Sequence, residues 1–319
     1  MSSLAPRSAS GTVAPALTPK ETPSLEGRRF PEPRATLRLL KPITWFAPMW
    51  ALGCGVVSSG ASVTENWAFV AGSVLLAGPL VCGTSQAAND WYDRHVDAIN
   101  EPDRPIPSGA IPGRWGLYIA LMWTGLSLVV AALLGQWVFI ASLFGLALAW
   151  AYSAPPFRLK LNGWWGNSAV GLCYEGLPWF TGAAAIMQAL PRNEIIALAL
   201  LYSAGAFGIM VLNDFKAIEG DRKLGVRTLP VQLGVARSVR FACAVMVVPQ
   251  LVVIGLLHTM GRIWETAIVA SLVVAQFALM PGLVADPKGK APFYNATGTT
   301  LYVLGMLVSA FAVRYSNGL

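Results

Sequence analysis

The chain has 319 residues, of which 55% are hydrophobic and only 12% are charged. Soluble domains contain about 25% charged residues, so this composition excludes an ordinary soluble globule, a disordered chain and a disulfide-stabilised secreted domain. The net charge of +7 does not indicate a nucleic-acid partner, because the Lys and Arg residues fall in short tracts between long apolar runs. The composition therefore predicts an integral membrane protein.

The first 36 residues are rich in Ser, Ala, Thr and Pro and contain no apolar run. We expect residues 1–36 to form a disordered cytoplasmic tail, because a cleaved secretory signal would need an apolar core. Residues 37–319 are predicted to form one all-α, polytopic membrane domain.

Nine apolar stretches follow the tail, each about 20 residues long, which is the length of a helix that crosses a bilayer. They lie at 42–61, 67–88, 115–134, 137–154, 166–187, 195–212, 239–258, 265–284 and 295–314. Nine crossings place 20 of the 23 Lys and Arg residues on the same side as the N-terminus. Because cytoplasmic loops are enriched in Lys and Arg, the N-terminus is predicted to be cytoplasmic and the C-terminus to lie across the membrane.

The cysteines and histidines give no sign of a metal centre. Cys54, Cys82, Cys173 and Cys243 stand singly in apolar segments, and the chain has only two histidines. A structural zinc site needs Cys and His in groups, so it is excluded, and we expect the cysteines to pack in the core.

The loop after the second stretch begins with an acidic motif. Asn89, Asp93 and Asp97 follow one another at intervals of four residues, which places them on one face of a helix. Acids on one face repel one another unless a cation lies between them. Hard oxygen ligands in this pattern suit Mg²⁺, which commonly also binds the phosphate oxygens of a substrate.

A second block after the sixth stretch repeats this motif. Asn213, Asp214 and Asp221 match Asn89, Asp90 and Asp97 at an offset of 124 residues, and Ala217 stands where the first block has Asp93. The offset spans four predicted helices, so both blocks lie on the same side. The simpler alternative is that the acids of both blocks are solvated loop charges without a ligand. The one-face spacing in two blocks instead favours a site for Mg²⁺ and a diphosphate, with Arg and Lys stabilising the leaving group.

The motifs resemble those of the UbiA superfamily of intramembrane prenyltransferases, from about Lys41 to the C-terminus. Within that superfamily the chain is similar to the chlorophyll and bacteriochlorophyll synthase branch, and most to the bacteriochlorophyll synthases. The matching runs are 41–45, 91–109, 152–156, 162–164, 173–179 and 216–222. The missing acid at Ala217 departs from the quinone-type members and puts a full three-acid second cluster in doubt.

The resemblance implies an all-α bundle of nine helices and esterification of the bacteriochlorophyllide a propionate by geranylgeranyl or phytyl diphosphate, with release of pyrophosphate. It implies that Asp93, Asp97 and Asp221 are catalytic and help to hold Mg²⁺. The full set of predicted metal ligands is Asn89, Asp93, Asp97, Asn213, Asp214 and Asp221. The predicted diphosphate contacts are Arg104, Arg158, Lys160, Lys216 and Arg222. Arg158 and Lys160 could equally serve as topology signals.

Two further residues have open interpretations. Tyr152 lies at the cytoplasmic end of the fourth stretch, where its ring could stabilise an allylic cation or simply anchor the helix at the interface. Glu175 is an acid near the middle of the fifth stretch. It could contact the pigment, or it could be a protonated carboxyl bonded to a neighbouring helix.

Other functions stay open. The nearest is a prenyltransferase of the same fold that acts on chlorophyllide a, a quinone precursor or haem. A transporter with inverted repeats would place its acids near the bilayer midplane, which only Glu175 fits. A pigment-binding scaffold would need neither acidic block.

Overall fold

The computed structural model describes residues 30–314, which fold into helices joined by loops, with one isolated bridge between Asn162 and Arg227. The predicted all-α fold is confirmed for this part of the chain. The helices are α1 (Pro33–Leu40), α2 (Phe46–Ser58), α3 (Trp67–Asn100), α4 (Trp115–Leu134), α5 (Gln136–Ser153), α6 (163–187), α7 (Asn193–Asp214), α8 (Ile218–Lys223), α9 (Leu229–Leu233), α10 (Val235–Thr259), α11 (Ile263–Ala285) and α12 (Pro287–Arg314).

Seven of these helices are long and apolar enough to cross a membrane, namely α3, α4, α5, α7, α10, α11 and α12. The two other predicted spans correspond to α2, which has 13 residues, and to α6. The structure thus gives seven candidate spans within residues 30–314, and the count of nine stays a prediction.

The close division between the third and fourth predicted spans is confirmed. Helix α4 ends at Leu134 and α5 begins at Gln136, so one residue makes the turn. That residue is Gly135, with a φ of 125° that side chains rarely adopt. Gln188 donates from Nε2 to the Leu134 carbonyl at 2.9 Å, which satisfies one of the carbonyls left open at the end of α4.

The N-terminal boundary differs from the expectation. Residues 1–29 of the predicted tail lie outside the described residues. Helix α1 begins at Pro33, inside the segment predicted to be tail, because Ala35, Leu39 and Leu40 bury an apolar face. A face of three spaced residues is too short to stand out in a composition rich in Ser and Pro.

Two helices contain a π-helical segment. In α3 the segment is Leu76–Cys82 and includes Pro79, which lacks the N–H of a regular helical bond. The indole of Trp123 donates from Nε1 to the Pro79 carbonyl at 3.2 Å. In α6 the segment is Leu172–Gly176. Single π-helical turns inside α-helices are frequent at functional sites.

Polar contacts join the C-terminal helices. Gln250 in α10 and Gln276 in α11 are fully buried and exchange two amide hydrogen bonds of 3.1 and 3.0 Å. Tyr202 in α7 and Ser309 in α12 bond at 2.8 Å. Such bonds are the usual polar contacts between membrane helices.

We expect Gln250→Leu to destabilise the bundle by about 1 kcal/mol, because it leaves the buried Gln276 amide without its hydrogen-bond partner. The double variant Gln250→Leu/Gln276→Leu should regain part of that loss, since no polar group is then left unpaired. Thermal unfolding in detergent of both single variants and the double variant measures the coupling. Strictly additive losses would contradict a direct bond between the two amides.

The loops at one end of the bundle belong together. Three segments connect helices at the same end of the bundle, which we call the polar end: 101–114, 154–162 and 215–234. Two backbone bonds of 2.8 Å join the second and third segments, from Gly163 N to the Arg227 carbonyl and from Arg227 N to the Leu161 carbonyl. Both acidic blocks therefore approach one another at the polar end.

Candidate active site

A cavity of about 400 Å³ lies between α3, α5, α6 and α7. Its polar lining is concentrated where these helices reach the polar end, and its deeper walls are mainly small or apolar. The polar residues there are Asn89, Tyr152, Asn167, Asn213 and Asp214. The cavity therefore brings members of both predicted acidic blocks to one place, together with the predicted Tyr152.

The first acidic block lies within α3, as its spacing predicted. Asn89 donates from Nδ2 to the Ser153 hydroxyl at 3.1 Å, which leaves its amide oxygen as an available acceptor at the cavity. Both carboxylate oxygens of Asp93 accept from Lys160 Nζ at 2.6 Å. The predicted acid and the predicted phosphate-binding lysine thus form an ion pair in this structure.

Asp97 has a different partner from Asp93. It accepts from Arg104 Nη1 at 2.8 Å, and the same nitrogen donates to Asp90 at 3.2 Å. Arg104 also bonds to Glu101. The Arg104 pKa is raised, since these three acids outweigh the opposing effect of burial. The structure therefore groups Asp97 with Arg104 and Asp90, beside the pair formed by Asp93 and Lys160.

Asp90 is a central residue of the site that the sequence analysis did not assign. It is 1% exposed and accepts from Lys41 Nζ at 2.7 Å as well as from Arg104, while its Oδ2 atom has no hydrogen-bond partner. A buried carboxylate needs such charged partners to offset its desolvation. Its position in the Asn-Asp pair that opens the motif was the available signal.

The second acidic block is divided between two helices. Asp214 ends α7 and accepts from Asn167 Nδ2 at 3.3 Å. Asn213 is exposed, and its amide oxygen accepts from Asn295 at 3.4 Å. Asp221 lies in α8, where its Oδ2 accepts from the Thr228 hydroxyl at 3.2 Å. Burial raises the Asp221 pKa above its usual value, and the Thr228 bond opposes that shift.

Asn167 is a second residue that the sequence analysis missed. Helix α6 begins at Gly163 because Asn162 caps it by accepting from the Trp164 backbone N–H at 2.9 Å. Just over a turn later, Asn167 faces the cavity and reaches Asp214. A polar amide inside a predicted apolar span was the signal for this residue.

The predicted cationic residues differ in their surroundings. Burial lowers the pKa of the Lys160 ammonium, and the Asp93 pair opposes that shift. Arg158 is half-buried, has a positive φ of 41° and has an Nε atom without a partner. Lys216 and Arg222 are exposed. Lys160 and Arg104 therefore contact motif acids directly, whereas Lys216 and Arg222 lie at the surface of the polar end.

The residues at the cavity fit Mg²⁺ by their chemistry. Within residues 30–314 no group of three or more His, Cys, Asp and Glu side chains is arranged to hold a metal. The cavity wall, however, combines the Asp214 carboxylate with the amide side chains of Asn89 and Asn213, and Mg²⁺ typically takes one or two carboxylates plus water and substrate phosphates. Asp90, the neighbour of Asn89 in the chain, also has a buried Oδ2 atom without a hydrogen-bond partner.

The model of the UbiA prenyltransferase family matches residues 43–297, so the chain belongs to this family. It is 60% identical over 291 residues to a protein of Cereibacter sphaeroides named bacteriochlorophyll synthase 33 kDa chain, with 91% of this chain and 96% of that protein covered. A chloroplastic chlorophyll synthase of Oryza sativa subsp. japonica is 38% identical, covering 88% of this chain and 76% of its own length.

Solved structures agree on the fold. A digeranylgeranylglyceryl phosphate synthase structure has a TM-score of 0.69 at 22% identity, covering 89% of this chain and 98% of that chain. A UbiA homologue from Archaeoglobus fulgidus, bound to DMAPP and Mg²⁺, has a TM-score of 0.61 at 21% identity, with 89% and 98% covered. These structures show a UbiA-like fold. The family match and the relative that is 60% identical show that the chain is a prenyltransferase, which decides against the transporter and scaffold alternatives.

Proposed function

We propose that this chain esterifies the propionate carboxylate of bacteriochlorophyllide a with a geranylgeranyl or phytyl group taken from its diphosphate, and releases pyrophosphate. The observation that carries the proposal is the cavity whose polar end joins Asn89 of one acidic block to Asp214 of the other. The name of the relative that is 60% identical supports the choice of acceptor.

The cavity's two parts suit the two parts of a prenyl diphosphate. The diphosphate lies at the polar end, and the hydrocarbon chain extends along small and apolar residues such as Ala77, Ala141 and Gly145. Moving an apolar chain from water into such a cavity contributes about 0.8 kcal/mol of favourable binding free energy for each buried CH₂ group.

The predicted metal ligands on α3, α7 and α8 would hold Mg²⁺, which when bound neutralises charge on the diphosphate. They are Asn89, Asp93, Asp97, Asn213, Asp214 and Asp221. We further propose that Lys160 turns from Asp93 towards the diphosphate when substrate binds. Arg104, Arg158, Lys216 and Arg222 supply the remaining positive charge around the leaving group.

The chemistry at carbon needs no base from the protein, since the propionate acceptor is already an anion. A carboxylate oxygen forms a bond to the first prenyl carbon while the bond from that carbon to the diphosphate oxygen breaks, and its electron pair leaves with pyrophosphate. Positive charge develops on the prenyl group as that bond breaks. Tyr152 lines the cavity beside the motif residues, where its ring face stabilises this charge.

We propose that all nine predicted spans cross the membrane, with the N-terminus and the active site on the cytoplasmic side of the inner or photosynthetic membrane. The bias of Lys and Arg towards the polar end supports this orientation. An impermeant maleimide applied to intact cells should label Glu65→Cys and spare Lys223→Cys. The reverse pattern would invert the topology.

Chlorophyllide a is the second candidate acceptor, since a chlorophyll synthase is 38% identical. Membranes containing the chain, Mg²⁺ and geranylgeranyl diphosphate should be supplied separately with each pigment and the ester measured by chromatography. Ester from bacteriochlorophyllide a alone is the expected result. Ester from chlorophyllide a alone would show that chlorophyllide a is the acceptor. Ester from neither pigment would refute both candidate acceptors.

We expect Lys160→Gln to raise KM for geranylgeranyl diphosphate about 10- to 100-fold, because a charge-assisted hydrogen bond worth roughly 1.5–3 kcal/mol is lost. KM for the pigment should stay within about threefold of the wild-type value, since Lys160 pairs with the motif acid Asp93 and its proposed role is to bind the diphosphate. Lys223→Gln is the matched control, as this lysine is exposed and, within residues 30–314, is not one of the cations that pair with a motif acid. Equal effects of both substitutions would contradict a specific role for Lys160.

A further inference from the structure

A second cavity of about 290 Å³ lies beside the first, between α2, α6, α7 and α12. Phe46 and Trp50 line it from α2, Met210 from α7 and Thr299 from α12. Its walls are mostly apolar. None of the predicted metal ligands or diphosphate contacts lines this cavity, so it is a separate compartment from the site described above.

Among the described residues, Glu175 is the one acidic side chain that lines this second cavity. It is 6% exposed, and its Oε2 atom has no hydrogen-bond partner. No basic side chain forms an ion pair with Glu175 in the part of the chain that the structure describes. Because an isolated carboxylate is very costly to bury, this group is held as a neutral acid. A neutral carboxyl has an O–H to donate.

The two cavities share a wall that includes Tyr174, Val170 and Met210. The Tyr174 hydroxyl accepts from Gln86 Nε2 at 3.2 Å and from Cys82 Sγ at 3.7 Å, and both donors line the first cavity. Tyr174 and Glu175 both belong to the π-helical segment Leu172–Gly176. A molecule in the second cavity is thus separated from the first by the thickness of one side chain.

Given the proposed function, we propose that the second cavity receives one edge of the acceptor macrocycle and that Glu175 donates a hydrogen bond to a carbonyl oxygen on that edge. The volume of about 290 Å³ suits a ring edge with its substituent rather than a whole macrocycle. The acceptor edge then lies on the other side of the shared wall from the diphosphate, and the propionate is carried on a different pyrrole ring of the macrocycle.

The proposal gives Glu175 a role in acceptor choice. Bacteriochlorophyllide a carries an acetyl group at the ring position where chlorophyllide a carries a vinyl group, and only the acetyl oxygen can accept a hydrogen bond. A site built to make a hydrogen bond rejects an analogue that cannot make it, because the buried polar group is then left unpaired. Glu175 therefore selects for the acetyl-bearing pigment.

The test is a competition assay in membranes with geranylgeranyl diphosphate, Mg²⁺ and equal amounts of bacteriochlorophyllide a and its vinyl-bearing bacteriochlorin analogue. The two pigments share the reduced ring and differ in this substituent. The variants are Glu175→Met, which is apolar and similar in shape, and Glu175→Gln, which keeps a donor. The ratio of the two esters does not depend on how much enzyme is folded, so a loss of yield does not obscure it.

We expect Glu175→Met to lower the preference for the acetyl pigment at least tenfold and Glu175→Gln to keep it within about threefold. Pigment binding to the detergent-solubilised protein, followed by absorbance without diphosphate, should show the same order. Gln276→Leu, another buried polar position, is the control and should leave the ratio unchanged. An unchanged ratio in Glu175→Met, or equal losses for both pigments, would overturn the proposal. If the wild type esterified neither pigment, the proposed function itself would fail.

Discussion

Asp93→Asn should lower kcat/KM for ester formation about 100- to 1,000-fold, the size of loss seen when one preorganised electrostatic group is removed from an active site. Asp93 is the acid that pairs with Lys160 through both carboxylate oxygens, each at 2.6 Å. The substitution removes one negative charge from the proposed metal site and leaves Lys160 without its partner. Chromatographic measurement of the ester formed from geranylgeranyl diphosphate and bacteriochlorophyllide a gives the rate.

Asp103→Asn is the matched control for this experiment. Asp103 lies at the same end of the bundle, and its side chain is exposed. We expect the rate of ester formation by Asp103→Asn to stay within about twofold of the wild-type rate. A higher Mg²⁺ concentration should recover part of the Asp93→Asn activity, since the loss of this proposed ligand would weaken metal binding. If Asp93→Asn retained full activity at all Mg²⁺ concentrations, Asp93 would not be a metal ligand.

Gly55→Ala should destabilise the folded protein by about 3 kcal/mol or more, near the upper end of the cost of overpacking. A Cβ atom at Gly55 in α2 would lie 1.9 Å from the Trp179 carbonyl oxygen in α6. In the same contact, a Cβ atom at Gly182 would lie 2.2 Å from the Leu52 carbonyl oxygen. Backbone atoms on both sides cannot rotate away, so the two helices would have to separate. Thermal unfolding in detergent measures the loss.

Gly53→Ala is the control in the same helix. No heavy atom lies within 4 Å of a Cβ atom built at Gly53, and Ala is favoured over Gly in a helix by about 1 kcal/mol. We therefore expect this variant to be as stable as the wild type or slightly more stable. Similar losses at both positions would mean that α2 does not contact α6 through Gly55.

The first acidic block shows what sequence periodicity can predict and what it cannot. The four-residue spacing of Asn89, Asp93 and Asp97 predicted one helical face, and all three lie within α3. Spacing alone did not predict their partners, because these come from distant segments. Lys160 reaches Asp93, whereas Arg104 reaches Asp97 and Asp90. Acids that are evenly spaced in the sequence thus pair with two different cations in the fold.

Glu175 shows the same limit. A single acid in an apolar span indicates either a ligand contact or a bond to a neighbouring helix, and the sequence favoured neither. Packing brings α2, α6, α7 and α12 around it without supplying a partner for Oε2. That outcome depends on which side chains of four separate helices meet, which no local pattern encodes.

Composition and hydropathy identify the molecule as an all-α membrane protein, because the bilayer imposes the length and apolar character of each helix locally. The two acidic blocks predict its chemistry, since a metal and a diphosphate need oxygen ligands and positive charge whatever the surrounding fold. The tertiary structure decides which residues meet: the burial of Asp90 between Lys41 and Arg104, the contact of Asn167 with Asp214, and the position of Tyr174 in the wall shared by the two cavities. These are long-range packing relations, and they exist only once helices far apart in sequence lie side by side.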